Sequence, residues 1–453
     1  MPMAFDPSRH SSFSYRDVVW MAERYEARFE YALYGEGVED VIFTELVQFT
    51  PARTPADEKS LQGLLIVLGA VLGLSYFKAA APPVYRLEVP GLTDAALVYL
   101  ETVIRHGMAE YAYTNGRSGP LEVDIQRTAP AGSEFPPESW RLPDGDPIIP
   151  IGGGKDSVVT VELLHRARLH PIQFAVNANP LIRRVAHVSG HALITAKRTL
   201  DPLLLQLNNE GALNGHVPVT AMNSLIALCQ AQILDSGPVV MSIEATASEP
   251  TLEVDGWEIN HQWSKSLEAE KALREMIGPQ AGLVPESYFS LLRPFSELRI
   301  AGEYAHHTQY HRVATSCNRA FRLDAGDVGW CADCDKCRFV FLLLARYLTP
   351  WALEEVFGAN LLEDPAHIPG YGELLGLARH RPFECVGSEA EAVVALAGVA
   401  SRSQWADASV VAHFREVIDD LDTPPEGLRQ QVSAAGESLS MPDGFEEAQH
   451  ALR

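Results

Sequence analysis

A short glycine-rich loop carries the clearest chemical signal in the sequence. Directly after a predicted strand ending at Ile151, six residues stand in a row: Gly152, Gly153, Gly154, Lys155, Asp156 and Ser157. Glycines let the backbone approach a ligand closely, and the N–H groups at the start of the following helix favour negative charge. The pattern therefore predicts a loop that binds a triphosphate. Two common nucleotide-binding loops are excluded, because the lysine follows only three glycines and Ser157 replaces a required last glycine.

A cluster of cysteines forms the second chemical motif. Four of the six cysteines lie within 21 residues, with the spacing C-x13-C-x2-C-x2-C. They are Cys317, Cys331, Cys334 and Cys337. Two-residue gaps are typical of cysteine knuckles around tetrahedral zinc, which a fourth, more distant cysteine completes. The spacing predicts a structural zinc site, and catalytic thiols or buried reduced cysteines are the alternatives.

The elements around these motifs predict an α/β fold with a parallel sheet. Predicted strands at 147–151, 173–177 and 239–243 alternate with helical segments, one ending near residue 169 and one at 221–234. This alternation is typical of a doubly wound sheet, in which ligands bind at the carboxyl ends of the strands. The glycine loop lies at such an end. Pro150 fits the sheet only as the last residue of its strand, because proline cannot donate to a central ladder.

Three units are predicted along the chain. Residues 1–140 mix strand-like alternation, a buried helix and turn signals, which indicates an α+β N-terminal domain. Residues 141–350 form the α/β core with the cysteine motif, and residues 351–453 form a helical C-terminal extension with an acidic tail. The apolar stretch 63–74 has 12 residues, whereas a membrane-spanning helix needs about 20. A buried core helix is therefore predicted there.

Composition limits the classes of partner. The chain of 453 residues is 47% hydrophobic and has a net charge of −23, which is typical of a globular protein. Nucleic acid is disfavoured as a partner, because such binding relies on lysines and arginines that neutralise phosphates. The few clustered cysteines and an N-terminus without a secretory pattern predict a cytoplasmic protein with no membrane partner. The oligomeric state stays open.

The glycine loop resembles the pyrophosphatase loop of the PP-loop ATP pyrophosphatase superfamily, with Gly152 in place of the usual leading serine. This resemblance implies an adenine nucleotide alpha hydrolase-like fold and cleavage of ATP between its α- and β-phosphates. It also implies that the loop backbone, Lys155 and Ser157 hold pyrophosphate, and that Asp156 helps to hold Mg²⁺. The cysteine motif is similar to that of 7-cyano-7-deazaguanine synthase, another PP-loop enzyme. An adenylating ligase of that kind is the alternative function.

Several further segments, in the same order, make a narrower resemblance visible. They are LNGHVP (213–218), INHQWSKS (259–266), YFSLLRP (288–294), SCNR (316–319), WCADCDKC (330–337) and RPFECVG (381–387). Together with GGGKDS they resemble the MurL family of UDP-N-acetylmuramoyl-L-alanyl-L-glutamate epimerases over residues 140–390. The segment 242–247 departs from the family pattern, which leaves a role for Glu244 open.

The MurL resemblance implies an epimerase that uses ATP and Mg²⁺ and releases AMP and diphosphate. Its substrate is a UDP-linked cell-wall precursor whose terminal L-glutamate becomes D-glutamate. Adenylating the carboxylate removes its negative charge, so that a side-chain base can take the neighbouring α-proton. No pyridoxal is required. His261 and Lys265 are the candidates for proton transfer, and they would share one face if their segment were helical. Lys155 is the third catalytic candidate.

A local excess of basic residues predicts where the anionic substrate binds. From residue 290 to residue 350 there are eight basic and six acidic side chains, in a chain that is acidic as a whole. Guanidinium groups suit diphosphate and carboxylate ligands, because they can donate two parallel hydrogen bonds. The candidates for anchoring the substrate are Arg293, Arg299, Arg319 and Arg322. Surface arginines paired with nearby acids are the alternative.

Overall fold

A computed structural model describes residues 5–52, 58–321, 329–377, 384, 386–419, 425–434 and 436–452. The strands are β1 (His10–Met21), β2 (Glu26–Gly35), β3 (Val41–Gln48), β4 (Val84–Leu87), β5 (Asp124–Arg127), β6 (Ile148–Pro150), β7 (Ile172–Val176), β8 (Leu193–Thr199), β9 (Val239–Met241), β10 (Leu252–Val254), β11 (Trp257–Ile259) and β12 (Tyr288–Ser290). The helices are α1 (Glu58–Leu72), α2 (Leu74–Phe77), α3 (Asp94–Gly107), α4 (Ala109–Thr114), α5 (Lys155–Arg166), α6 (Pro180–Ser189), α7 (Pro202–Glu210), α8 (Val219–Leu234), α9 (Leu267–Ala281), α10 (Glu297–Tyr304), α11 (Asp335–Ala345), α12 (Pro350–Phe357), α13 (Ile368–Leu374), α14 (Glu389–Ala400), α15 (Ser409–Asp419), α16 (Pro425–Ser433) and α17 (Phe445–His450).

A large mixed sheet organises the molecule. Its strand order is β12-β9-β6-β7-β8-β3-β2-β1-β4-β5. Six of the nine neighbouring pairs are parallel, and the three pairs that join β8, β3, β2 and β1 are antiparallel. The predicted α/β class with a mostly parallel sheet is confirmed. The sheet continues across the predicted boundary near residue 140, because β3 pairs with β8.

The strand that leads into the glycine loop has the predicted form. β6 lies between β9 and β7, and its last residue is Pro150, opposite Phe174 in the parallel register. The next residue, Ile151, resumes hydrogen bonding by donating its N–H to the carbonyl oxygen of Phe174 at 2.8 Å. A proline is thus tolerated in a central strand because it stands at the end of the ladder. The loop begins at the carboxyl edge of the sheet.

The predicted core helix is confirmed and is longer than the apolar stretch that indicated it. Residues Glu58–Phe77 are long and apolar enough to cross a membrane, but 94% of the apolar window is buried inside the protein. The helix α1 packs against the aromatic face of β1 and β2, where the Tyr31 hydroxyl donates to the carbonyl oxygen of Gly69 at 2.8 Å. A side chain at Gly69 would overlap the Tyr15 ring. This burial is typical of a core helix.

The C-terminal helices surround the cysteine motif and the back of α5. Their buried residues form one apolar cluster with those of α5, α10 and α11. The segment predicted as an acidic tail also contributes to it, because α17 buries Phe445 against Phe289 at a ring-centroid distance of 5.2 Å. Leu452 is buried as well. The C-terminal end is therefore in part a packed element of the core and not wholly a solvated surface.

Candidate active site

A cavity of about 630 Å³ opens beside the carboxyl ends of β6, β7 and β9. The glycine loop forms one wall, and the start of α8 forms another. The remaining walls come from residues 261–265, residues 315–318 and Lys336. Ligands bind at this edge in open parallel sheets, since the strand ends and their loops converge there. The predicted site residues that line the cavity are Gly152, Gly154, Asp156, Ser157, His261 and Lys265.

Each glycine of the loop has a distinct geometry. Gly152 is exposed, and a side chain there would meet open space. Gly153 has a φ of +82°, and an added Cβ would lie 2.5 Å from Leu181. Gly154 precedes α5 as its N-terminal cap, and an added Cβ would lie 2.7 Å from the Ser316 hydroxyl. The second and third glycines are therefore required by conformation and by close packing.

The requirement for glycine at position 153 gives a direct stability test. Gly153→Ala is expected to lower the free energy of unfolding by roughly 1–3 kcal/mol, because a left-handed backbone and the contact with Leu181 both oppose a side chain. Gly152→Ala is the matched control, and its effect should stay within about 0.5 kcal/mol. Urea denaturation of both variants measures the difference. Equal effects would show that the loop conformation is not the constraint.

Two cavity-lining serines have a buried hydroxyl group without a hydrogen-bond partner in the described part of the chain. They are Ser242 Oγ, which follows β9, and Ser316 Oγ, beside Gly154. Both residues line the cavity. Buried hydroxyls are normally satisfied, so two unpartnered hydroxyls among the residues that line the cavity indicate a place for a hydrogen-bonding ligand. The Ser157 hydroxyl, by contrast, donates to the carbonyl oxygen of Gly154 at 3.0 Å.

Lys155 does not line the cavity. Its side chain is 1% exposed, and its ammonium group contacts the carboxylates of Asp156 and Glu297. Glu297 also accepts a hydrogen bond from Lys336 Nζ at 3.0 Å. Burial alone would raise the pKa of Glu297, but the two lysines outweigh burial and lower this pKa to about 2. The predicted direct contact of Lys155 with phosphate thus gives way to a buried ion pair.

Lys336 is the second lysine that pairs with Glu297, and the sequence had indicated Lys155 as the lysine at the cavity. Lys336 lines the cavity, although its side chain is only 7% exposed. Its place in the chain, between Cys334 and Cys337, makes it part of the cysteine motif and of the first turn of α11. Sequence reasoning missed both Lys336 and Glu297 as site residues. The basic residue within the WCADCDKC motif was the available signal for Lys336, whereas Glu297 had no local signal.

Glu244 is buried close to this group of charges. Burial and the nearby charges of Glu297 and Asp156 raise the pKa of Glu244 to about 7, although Lys265 and Lys336 oppose the rise. It precedes a short helical turn just after the cavity-lining residues of β9 and its loop. A carboxyl group with a pKa near 7 can accept or donate a proton at neutral pH. The role that the sequence left open for Glu244 thus gains a physical basis.

His261 and Lys265 both line the cavity, but they do not share a helix face. The segment is a turn followed by a short 3-10 helix over Trp263–Lys265. The Nδ1 atom of His261 contacts a carboxylate oxygen of Glu110, on α4. Lys265 Nζ lies 3.4 Å from the side-chain oxygen of Gln262. The shared helix face that a helical segment would have given His261 and Lys265 is therefore not present.

The predicted substrate arginines lie away from the cavity in the described structure. Arg293 is buried, and its Nε donates to Glu270 at 2.8 Å. Arg299 donates to the carbonyl oxygen of Leu452 at 2.7 Å, and Arg319 pairs with Asp333 at 2.9 Å. None of these three lines the cavity. Arg293 and Arg319 are in ion pairs and Arg299 binds a backbone carbonyl, so the described contacts give these arginines other partners, and a role in anchoring the substrate stays a prediction. Arg322 lies outside the described residues.

The four clustered cysteines converge as their spacing predicts. The Sγ atoms of Cys317 and Cys334 are 3.9 Å apart, those of Cys331 and Cys337 are 3.6 Å apart, and those of Cys334 and Cys337 are 3.5 Å apart. Four sulfur atoms at about 2.3 Å from a tetrahedral ion would be separated by about 3.8 Å. Cys334 caps α11, and Cys337 lies in its first turn. The group could hold a metal ion.

The fold and the cavity together define a class: an α/β protein whose glycine-rich loop lies beside a cavity at the carboxyl edge of the parallel strands. Comparison with protein families narrows this class. Residues 4–291 match the MurL N-terminal domain, and residues 313–427 match the MurL C-terminal domain. The chain belongs to the MurL family.

Curated relatives agree with this assignment. A protein of Micromonospora sp. is 48% identical over 398 residues, covering 87% of this chain and 88% of the relative. A protein of Salinispora tropica is 46% identical, covering 87% and 86%, and one of Xanthomonas oryzae pv. oryzae is 34% identical, covering 96% of both chains. Each is named UDP-N-acetyl-alpha-D-muramoyl-L-alanyl-L-glutamate epimerase. No solved structure matches the chain.

Proposed function

We propose that this protein is an epimerase that uses ATP and Mg²⁺ to invert the terminal L-glutamate of UDP-N-acetylmuramoyl-L-alanyl-L-glutamate. The product carries D-glutamate and serves peptidoglycan precursor synthesis. Membership of the MurL family and the names of the relatives support the reaction. The main support for the ATP requirement is the cavity, because the glycine loop and titratable side chains line the same cavity.

The proposed chemistry has three connected steps: adenylation, inversion of the α-carbon and hydrolysis. A carboxylate oxygen of the terminal glutamate attacks the α-phosphorus of ATP, the bond to the bridging oxygen breaks, and diphosphate leaves. The acyl adenylate has no negative charge beside the α-carbon, so the α-proton becomes accessible to a side-chain base. A proton then returns on the opposite face, and water cleaves the adenylate to give AMP and the free acid. The glycine loop is therefore proposed to hold the phosphates of ATP during this cleavage, as a PP-loop does.

The residues of the cavity suit the binding of a polyphosphate. Free N–H groups at the start of α5, the hydroxyls of Ser242 and Ser316, and the ammonium group of Lys336 would donate to phosphate oxygens. Asp156, part-exposed at the cavity wall, would hold Mg²⁺, which supplies charge neutralisation to the phosphates. Buried Lys155 stabilises this region through Asp156 and Glu297.

His261 and Lys265 are the proposed proton-transfer residues, with Glu244 as a further candidate. All three belong to the cavity wall or lie directly behind it. Inversion needs an acid and a base on opposite sides of the α-carbon. Histidine is a common proton-transfer group at neutral pH. The carboxyl group of Glu244, with a pKa of about 7, can also exchange a proton at neutral pH.

The cysteine cluster is proposed to hold structural Zn²⁺. Its sulfur–sulfur separations match a tetrahedral thiolate site. Because Lys336 stands between two of the cysteines, the knuckle would fix the position of a lysine that faces the phosphates. The acidic composition supports the proposal that nucleic acid is not a partner, and the few, clustered cysteines support the proposal of a cytoplasmic location without a membrane partner.

One incubation tests the proposal. The purified protein is mixed with the UDP-linked dipeptide, ATP and Mg²⁺ in deuterated water, and the products are analysed for glutamate configuration, α-deuterium and nucleotide. D-glutamate, deuterium at the α-carbon and AMP are the expected products. AMP without deuterium uptake would indicate an adenylating ligase related in chemistry to 7-cyano-7-deazaguanine synthase, and a requirement for ammonia would support that function. Epimerisation without ATP cleavage would overturn the adenylation mechanism.

A further inference from the structure

The N-terminal part of the chain reaches the cavity through one carboxylate. Glu110 lies on α4, and its Oε2 atom contacts Nδ1 of His261, 151 residues further along the chain. Both side chains are largely buried, with 14% exposed for Glu110 and 18% for His261. His261 lines the cavity, whereas Glu110 stands behind it. The carboxylate therefore contacts the proton-transfer candidate without itself lining the cavity.

We propose that Glu110 is a positioning residue that orients His261 for proton transfer at the α-carbon. The inference rests on the proposed function. A carboxylate at Nδ1 favours the neutral tautomer that carries its proton on Nδ1, and in this tautomer the basic lone pair of the ring is on Nε2. The same carboxylate stabilises the imidazolium that forms when Nε2 takes a proton, and it fixes the plane of the ring.

Both partners are held in place by further hydrogen bonds. The backbone N–H of His261 donates to the Thr251 hydroxyl at 3.2 Å. On the other side, Asn115 at the end of α4 donates to the carbonyl oxygen of Asn214 at 3.1 Å, and the Tyr111 hydroxyl donates to the carbonyl oxygen of Lys78 at 2.6 Å. A catalytic group gains most when its supporting residues are themselves fixed. The contact is thus built into the fold.

A second histidine beside the pair does not replace His261 as the partner of Glu110. The rings of His216 and His261 are 4.8 Å apart, but Nδ1 of His216 is 3.8 Å from the Glu110 carboxylate, which is beyond hydrogen-bond distance. Burial, and then the charge of His261, lower the pKa of His216 to about 4. His216 therefore stays neutral at physiological pH, and it adds no positive charge beside the proposed base.

Glu110→Gln tests the inference, because it keeps the size of the side chain and removes its charge. We expect epimerisation and deuterium uptake at the α-carbon to fall on the order of 10²-fold in kcat. Substrate-dependent exchange of labelled diphosphate into ATP, and the KM for ATP, should match the wild type, because adenylation precedes proton transfer. Glu110→Asp should restore part of the deuterium uptake. Glu101→Gln, an exposed glutamate on α3, is the control and should leave every rate unchanged.

The outcomes separate this inference from the proposed function. If the wild-type protein catalyses no diphosphate exchange and no epimerisation, both fail. If the wild type catalyses both diphosphate exchange and epimerisation, the proposed function stands. The positioning role is then overturned if Glu110→Gln retains full deuterium uptake, or if it loses diphosphate exchange and deuterium uptake equally. Glu110, His216 and His261 could also hold a metal ion. The positioning role would also be overturned if the wild type bound stoichiometric Zn²⁺ in addition to any zinc at the cysteines, and if both Glu110→Gln and His216→Ala abolished this additional binding.

Discussion

Glu297→Gln is expected to lower the free energy of unfolding by about 3–5 kcal/mol, the range found when one partner of a buried ion pair is removed. Glu297 is 2% exposed and lies between the ammonium groups of Lys155 and Lys336. A neutral amide would remove the carboxylate that pairs with both ammonium groups, and in the described structure Asp156 pairs with Lys155 but not with Lys336. Urea denaturation at neutral pH measures the loss.

An exposed ion pair provides the matched control. Glu355 pairs with Arg312 at 2.9 Å, and the side chains are 36% and 73% exposed. Glu355→Gln makes the same chemical change in solvent, where such pairs contribute about 0–1 kcal/mol. A loss for Glu297→Gln as small as that for Glu355→Gln would show that the charges around the glycine loop are solvated and that the buried network is not a stability determinant.

The pH dependence of stability follows from the same carboxyl group. The pKa of Glu297 is about 2 in the folded protein and 4.5 as its ordinary value. A lowered pKa means that the contribution is fully present above pH 4.5 and is lost as the pH falls towards 2, by up to roughly 3 kcal/mol. Glu244 and Glu391, whose pKa values are raised to about 7, have the opposite slope between pH 4.5 and 7. The difference between wild type and Glu297→Gln should therefore narrow below pH 4.5.

The glycine loop and the strand that precedes it could be predicted because local geometry determines them. A run of glycines between a strand and a helix places backbone N–H groups at a helix start, and the structure has this arrangement at Gly154. Proline has one acceptable place in a central strand, and Pro150 occupies it. The cysteines could be predicted for a similar reason, since two-residue gaps bring thiols together in one turn.

The charge network could not be predicted, because its partners are distant in sequence. Glu297 lies 142 residues from Lys155, and Glu110 lies 151 residues from His261. When the glycine-rich loop is considered alone, its lysine indicates a contact with a phosphate ligand. Only the tertiary structure shows that Lys155 turns into the interior and that Lys336 faces the cavity. The same limit explains Arg293, whose buried partner Glu270 lies 23 residues earlier in the chain, on α9.

The N-terminal domain was assigned no chemistry from its sequence, because its aromatic alternation indicates only a half-buried strand. The structure places that aromatic face in the core under α1 and continues the sheet into the α/β region through β3 and β8. This continuity fixes α4 relative to the segment that carries His261. A domain with a packing role can thus also supply a site residue, and no local pattern around Glu110 would reveal it.

Cys337→Ser is expected to abolish zinc binding and to lower the free energy of unfolding by at least about 3 kcal/mol, because structural zinc sites contribute directly to folding. Metal analysis by mass spectrometry should find about one zinc per wild-type chain and close to none in the variant. The loss should also weaken ATP binding, since Lys336 belongs to the same turn as Cys334 and Cys337. Cys229→Ser is the control. This cysteine is buried on α8, in the apolar cluster that includes α1 and the aromatic face of β1 and β2, and its substitution should leave the zinc content unchanged. Zinc absent from the wild type would leave the four thiols without a metal, and zinc retained in Cys337→Ser would show that the metal does not depend on this cysteine. Either result would remove the metal from the explanation of how Lys336 is positioned.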